Sequence, residues 1–281
     1  VTEIGSVTIT VLVENTTERR GLLAEHGFAV LVEARGRKIL FDTGAGRALL
    51  PNAEALGVDL ASVSAVVLSH GHYDHTGGLK AFLEAHGPVD VYAHPDVFRE
   101  RYSVKAAEEP KSTGIPWKRR ELESWGARFN LERTMVMLGP GMFLTGAIPR
   151  LTEYEKTPEE FKTRSGSSLE RDIVPDDQAL VIHTARGLVV LLGCAHAGLI
   201  NTLRHVRLVT GMTKIHAVFG GTHLRGASTE RINRTIEALG EFGVDLIGVG
   251  HCTGFEACAA LYREFGKRFH CMPVGTVFSL E

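Results

Sequence analysis

Cysteine is scarce in this chain. The four present, Cys194, Cys252, Cys258 and Cys271, fall in the last third of the 281 residues, and no two of them stand as C-x-x-C. That usage suits a reducing, cytoplasmic setting. Cys194 and Cys252 flank histidines considered below, which leaves either open to touching the metal environment; the preferred reading is small buried residues, since free cysteine is readily buried. Long apolar runs are missing too. No stretch approaches the roughly 18 residues that a spanning helix needs, so no membrane span is expected. The first residues, Val1-Thr2-Glu3-Ile4-Gly5-Ser6, have neither a basic start nor an apolar run, so no signal peptide is expected. An excess of one charge is also lacking. A net charge of −2 with 23% charged residues gives no reason to expect nucleic acid or an anionic membrane surface as a partner.

What is present is a hydrophobic content of 44%, ample for the core of a single domain spanning 1–281. The densest chemistry is His70-Gly71-His72-Tyr73-Asp74-His75, which packs three imidazoles and a carboxylate into one short stretch. Before it, Ser64-Ala65-Val66-Val67-Leu68-Ser69 is short, apolar and β-branched, as a buried strand is. Gly77-Gly78 then releases the chain into a predicted helix at Leu79–His86. The cluster is therefore expected on a loop at the carboxyl end of a strand, where α/β proteins commonly place their sites. Imidazoles and a carboxylate suit a borderline divalent ion such as zinc, and also manganese or iron.

Two halves of the sequence follow the same order. Ala29–Ala34 and Lys38–Asp42 read as a hairpin around Arg35-Gly36-Arg37, and Ala179–Thr184 and Leu188–Leu192 as another around Ala185-Arg186-Gly187. Each leads through a small-residue loop into a helical pattern, at Arg47–Leu56 and Leu199–Val209. New strands follow at Ala65–Leu68 and Ile215–Phe219, helices at Leu79–His86 and Ser228–Phe242, and final strands at Val89–Tyr92 and Val244–Val249. Two similar strand–helix units, packed sheet against sheet with helices outside, are expected. This arrangement places His70, His72, His196, His223 and His251 on one rim. Two polar excursions, near 95–128 and 150–178, read as surface insertions of the kind that form lids or substrate walls. Asp176-Asp177 reads as a solvated turn, with Asp177 near enough to reach the ligand shell.

His70-x-His72-x-Asp74-His75, preceded by Phe41-Asp42-Thr43-Gly44 and followed by His196 and His251, resembles the metallo-β-lactamase superfamily across nearly the whole chain. The resemblance implies an α/β fold, the four-layer αββα sandwich, with a binuclear metal site on one edge. It implies that the histidines matching His70, His72 and His196 hold one ion, and that Asp74, His75 and His251 hold a second. The residue matching Asp42 supports the ligand loop by hydrogen bonds. Further segments, among them Thr145–Arg150, Gly193–Asn201, Gly220–Leu224 and His251–Gly254, are similar to a subgroup labelled metal-dependent hydrolases. Members of that subgroup also include an archaeal synthase joining a dihydropterin methyl diphosphate to ribofuranosylaminobenzene phosphate.

The chain departs from the superfamily where many members carry an aspartate bridging the metals. Here Ile215–Phe219 runs into Gly220-Gly221-Thr222-His223, with no carboxylate. One ion or two is therefore left open, and His223 is open to ligating the second metal or bonding to substrate. The resemblance implies a hydrolase in which metal-activated water attacks a phosphate- or ester-bearing small molecule. Asp74 then holds an ion or orients the water, and His223 or His251 polarises the leaving group. Thr145 and Gly146 offer a hydroxyl and backbone N–H groups to an anionic substrate, or form an ordinary turn. A pterin-type transferase releasing diphosphate, and a non-catalytic metal-binding sensor, are the alternatives. His26, His86, His94, His183, His205, His216 and His270 are assigned no role, and the oligomeric state is not specified.

Overall fold

The computed structural model describes residues 2–106 and 108–281. Val1, in the segment read for a leader, and Ala107, in the first excursion, lie outside the described residues. Two seven-stranded sheets dominate. The first runs in space as Val277–Leu280, Val7–Val13, Ala29–Ala34, Arg37–Phe41, Ala65–Val67, Val89–Ala93 and Ala127–Leu131. The second runs as Phe269–Cys271, Leu246–Gly250, Ile215–Gly221, Gly187–Leu192, Leu180–Thr184, Met142–Leu144 and Val136–Gly139.

Side-chain alternation along the strands explains the layering. On the Ala29–Ala34 strand, Val30 and Val32 join a cluster that also takes Leu180, Ile182, Val189 and Leu191 from the other sheet. Ala29 and Leu31 point the opposite way, onto Leu49 and Ala53 of the helix Leu49–Ala55 and Phe82 and Leu83 of Leu79–His86. On the far side, Val190 and Val218 meet Leu203 and Val206 of Leu199–Thr210, Leu239 of Thr229–Phe242 and Leu261 of Phe255–Phe265. The result is the four-layer αββα sandwich. Both expected hairpins form, pairing Ala34 with Arg37 and Thr184 with Gly187. In the first, Arg35 and Gly36 both take positive φ, 51° and 74°, as a tight primed turn requires. No helix among the described residues is long and apolar enough to cross a membrane.

The two polar excursions find one another. Phe161–Ser165 pairs with Arg101–Ser103, and these join Ser168–Arg171 and Lys111–Ser112 in a separate four-stranded sheet. His72 bridges to Gly114 of this region, so the added sheet touches the ligand loop directly. Asp176 and Asp177, read as a solvated turn, are instead buried at 0% and 2% exposure.

Candidate metal centre

Every histidine of interest follows the carboxyl end of a strand. His70 and His72 follow Ala65–Val67, His196 follows Gly187–Leu192, His223 follows Ile215–Gly221, and His251 follows Leu246–Gly250. Parallel pairing among these strands within each sheet brings their ends to one edge. Turning abruptly there forces unusual backbone: Asp42, Ala195, His223 and His251 all take left-handed φ between 50° and 59°. Such conformations cost free energy in residues with a Cβ and gather where a site over-determines them.

Two groups of side-chain atoms converge. In one, His72 Nδ1 lies 3.0 Å from His70 Nε2 and 3.1 Å from His196 Nε2. In the other, His75 Nε2 lies 3.2 Å from His251 Nε2 and 3.6 Å from Asp74 Oδ2, and His251 Nε2 is 3.3 Å from that same oxygen. Cys194 Sγ stands 3.1 Å from His75 Nε2. Ligand atoms around one tetrahedral zinc, at bonds of about 2.0–2.3 Å, stand about 3.3–3.8 Å apart, so these spacings are close to those of ligand cages.

Hydrogen bonds behind the rings fix which nitrogen faces inward. Asp42 Oδ2 accepts from Ser69 Oγ at 2.7 Å and from His75 Nδ1 at 2.7 Å, while its Oδ1 accepts from the Ser69 amide at 2.7 Å. With its own hydrogen committed to Asp42, Ser69 Oγ accepts from His70 Nδ1 at 2.9 Å. His251 Nδ1 donates to Asn15 Oδ1 at 2.9 Å. In each ring, when neutral, Nε2 carries the lone pair aimed at the cluster, the tautomer a metal takes. Nε2 of His75 and Nε2 of His251 then face each other beside a carboxylate, an arrangement that a proton on one ring or a metal ion between them relieves. The residues fit a divalent ion.

The electrostatics keep the first group neutral, while in the second His75 holds a proton that a bound ion would displace. Burial lowers the pKa of His70, His72 and His196 well below the ordinary imidazole value, and neighbouring imidazoles and the Arg101 guanidinium add to it, keeping these rings neutral. Burial opposes charge on Asp74 and on His75 alike. The imidazoles of His75 and His251 nonetheless hold Asp74 well below the carboxylate range. Asp42, then Asp74, outweigh burial at His75 and carry it up to about 9. Burial pushes the Cys194 thiol well above its usual value, with Cys252 beside it adding to the effect.

Above the cluster opens a cavity of about 550 Å³ whose wall includes His26, Lys105, Phe161, His223 and Arg225. Phe161, from the added sheet, stands edge-on to His72 and His196 at ring-centroid distances of 5.4 and 5.5 Å. His26, given no role in the sequence reading, reaches to 3.4 Å from Asp74 Oδ2. A lone histidine before a strand carries no signal by itself. Thr145 and Gly146 do not line this cavity: the Thr145 hydroxyl donates to Gly146 O at 2.8 Å and accepts from the Ala179 amide at 3.0 Å. That hydroxyl is spent on its own turn and has no hydrogen for an anion. Asp177 does approach the ligand loop, accepting from the Ala197 amide at 2.7 Å beside His196. His94 bonds to the Asp96 amide and stays outside both groups.

Residues 23–197 match the family model described as the metallo-beta-lactamase superfamily. The chain is 33% identical, over 90% of each protein, to the 7,8-dihydropterin-6-methyl-4-(beta-D-ribofuranosyl)-aminobenzene-5'-phosphate synthase of Methanocaldococcus jannaschii. It is 32% identical to a second, uncharacterized protein of that organism, over 90% of this chain and 93% of the other. Among solved structures it resembles Tm1679, described as a metal-dependent hydrolase of the beta-lactamase superfamily. That likeness has a TM-score of 0.84 and 32% identity, covering 98% of both chains.

Proposed function

We propose that this chain, which belongs to the metallo-beta-lactamase superfamily, is a metal-dependent hydrolase of a small anionic molecule carrying a phosphate or ester. The observation that carries the reading is the convergence of two ligand groups at the floor of a cavity whose wall carries Lys105 and Arg225 beside Glu160. His70, His72 and His196 would hold one ion; Asp74, His75 and His251 would hold a second. Zinc is the proposed metal, with manganese and iron as the alternatives for such ligands. When bound, a divalent ion in such a cage acidifies water and polarises an oxygen of the substrate.

The chain's own residues supply the rest. Asp74 stays ionised and turns its Oδ2 toward His26 at the cavity side, where it can orient a water by accepting its hydrogen. Lys105 and Arg225 line the cavity and offer positive charge to a phosphate. His223 has a buried Nδ1 without a hydrogen-bond partner and a ring 4.4 Å from that of His196, which suits it to hold a proton at the leaving oxygen. Phe161 covers the His72 and His196 rings and limits water on that side. Purified protein loaded with zinc or manganese should turn over generic phosphodiesters or esters and lose that activity on chelation.

A second reading is favoured by the identity to the synthase over 90% of both chains. Under it, the same centre would assist departure of diphosphate from a pterin methyl diphosphate while an aminobenzene ribofuranosyl phosphate attacks. Diphosphate release only when both substrates are present distinguishes it from hydrolysis. Tight metal uptake with no turnover of any screened compound would point instead to a metal-binding sensor.

A further inference from the structure

The Ile215–Gly221 strand ends in glycine where many members of the superfamily carry a bridging carboxylate, and the structure leaves no room for one. A Cβ on Gly221 would come within 2.6 Å of both Cys252 Sγ and Gly193 O, and 3.3 Å from Cys194 Cα. The space a side chain would cross from that strand is filled by the loop bearing Cys194 and by the Cys252 side chain.

Cys194 also sits where the two ligand groups meet. Its Sγ lies within 4.8 Å of the ligand atoms of Asp74, His75 and His251, and within the same distance of those of His70 and His196. Among the described residues it belongs to every such cluster, including a third with His223 and Cys252. The nearest approach is the 3.1 Å to His75 Nε2, near the spacing of a nitrogen and a sulfur on one zinc ion. Cys252 is oriented differently: its Sγ accepts from the His223 amide at 3.2 Å and faces the Cys194 carbonyl oxygen at 3.6 Å.

We propose that Cys194 bridges the two ions as a thiolate, in place of the missing carboxylate. Two divalent cations side by side repel each other, and Asp74 is the one carboxylate in their proposed ligand set; an anion between them offsets that repulsion. A coordinating thiol is deprotonated outright. The S–H bond breaks as sulfur–metal bonds form, and the proton leaves to water through the cavity. Sulfur also selects for zinc over the harder manganese ion. Cys252 packs against Gly221 and takes no part in the bridge.

The inference rests on the two-ion reading of this edge, and cobalt(II) tests the two separately. Metal-free full-length protein loaded with cobalt is expected to take up two ions per chain and to show a thiolate-to-cobalt charge-transfer band in the near ultraviolet. Cys194→Ser should bind one ion and lose the band; Cys252→Ser should keep both. If Cys194→Ser fails to fold, Cys252→Ser decides: the bridge predicts that it keeps the band, and a band lost there overturns it. Cobalt uptake by the wild type without the band, uptake of a single ion, or a band that survives in Cys194→Ser would each overturn the bridge while leaving a metal centre standing. A wild-type protein that binds no cobalt would overturn the metal reading itself.

Discussion

Arg101 meets Asp176 in the interior, Nη1 to Oδ2 at 3.1 Å, and that same carboxylate oxygen accepts from the Gly71 amide at 2.8 Å. The Arg101 Nε donates to Asp172 Oδ2 at 2.8 Å, so one guanidinium ties both excursions to the middle of the His70–His72 loop. Burial disfavours its charge, yet Asp176 and Asp172 hold its pKa above the ordinary value. Gly71 has no alternative here, because a Cβ on it would collide with Val97 O and with Arg101 Nη1.

Replacing Arg101 with methionine keeps most of the volume but leaves two carboxylates buried at 1% and 0% exposure without their cation. Breaking one side of such a pair costs about 3–5 kcal/mol. Arg101→Met should lower the unfolding free energy of metal-free protein by that amount in urea titrations. A loss under about 1 kcal/mol would mean that the ion pair is not what anchors the added sheet.

Asp42 is buried at 0% exposure and reaches the His75 ring directly and the His70 ring through Ser69. Asp42→Asn removes the charge that fixes both rings. Supporting groups of this kind are worth about 10–100-fold in metal affinity. That loss should appear in competition against a chromophoric chelator; an unchanged affinity would show that the rings are oriented by packing alone.

The centre was more legible in the sequence than its supports. His70, His72, Asp74 and His75 are close enough along the chain for the motif to be evident by itself, and His196 and His251 follow from the repeated strand–helix order. Arg101, Asp172 and Asp176 gave no such signal, because charged residues in polar stretches look solvated until a partner far along the chain neutralises them. The short strands Arg101–Ser103 and Phe161–Ser165 lack the alternation that marks a strand with one buried face. The position of Cys194 between two ligand groups depends on how distant loops pack, which spacing along the chain does not encode.

Asp177 makes stability depend on pH in a direction unusual for a carboxylate. Burial raises its pKa to about 6, against the pull of the Ala197 amide and Arg150. Between the unfolded value near 4 and about 6, the folded state holds the proton more tightly than the unfolded one. Stability from this residue therefore falls as pH rises through that window, by about 2–3 kcal/mol in all. In metal-free protein, wild type should lose that much relative to Asp177→Asn between pH 4 and pH 7. A pH-independent difference between the two would contradict the assignment.

His223 lines the cavity and has an unpartnered Nδ1, so its removal should tell on chemistry more than on folding. His223→Ala is expected to lower turnover of a phosphodiester or ester on the order of 100-fold, with the melting temperature little changed. Turnover and metal content both equal to wild type would make this histidine a bystander.

Anomalous scattering at the zinc, manganese and iron edges, from crystals grown with metal, bears most directly on the central claim. The expected result is one peak bonded to His70 Nε2, His72 Nδ1 and His196 Nε2, and a second bonded to Asp74, His75 and His251. Density for metal elsewhere on the protein, with these imidazoles bare, would contradict it.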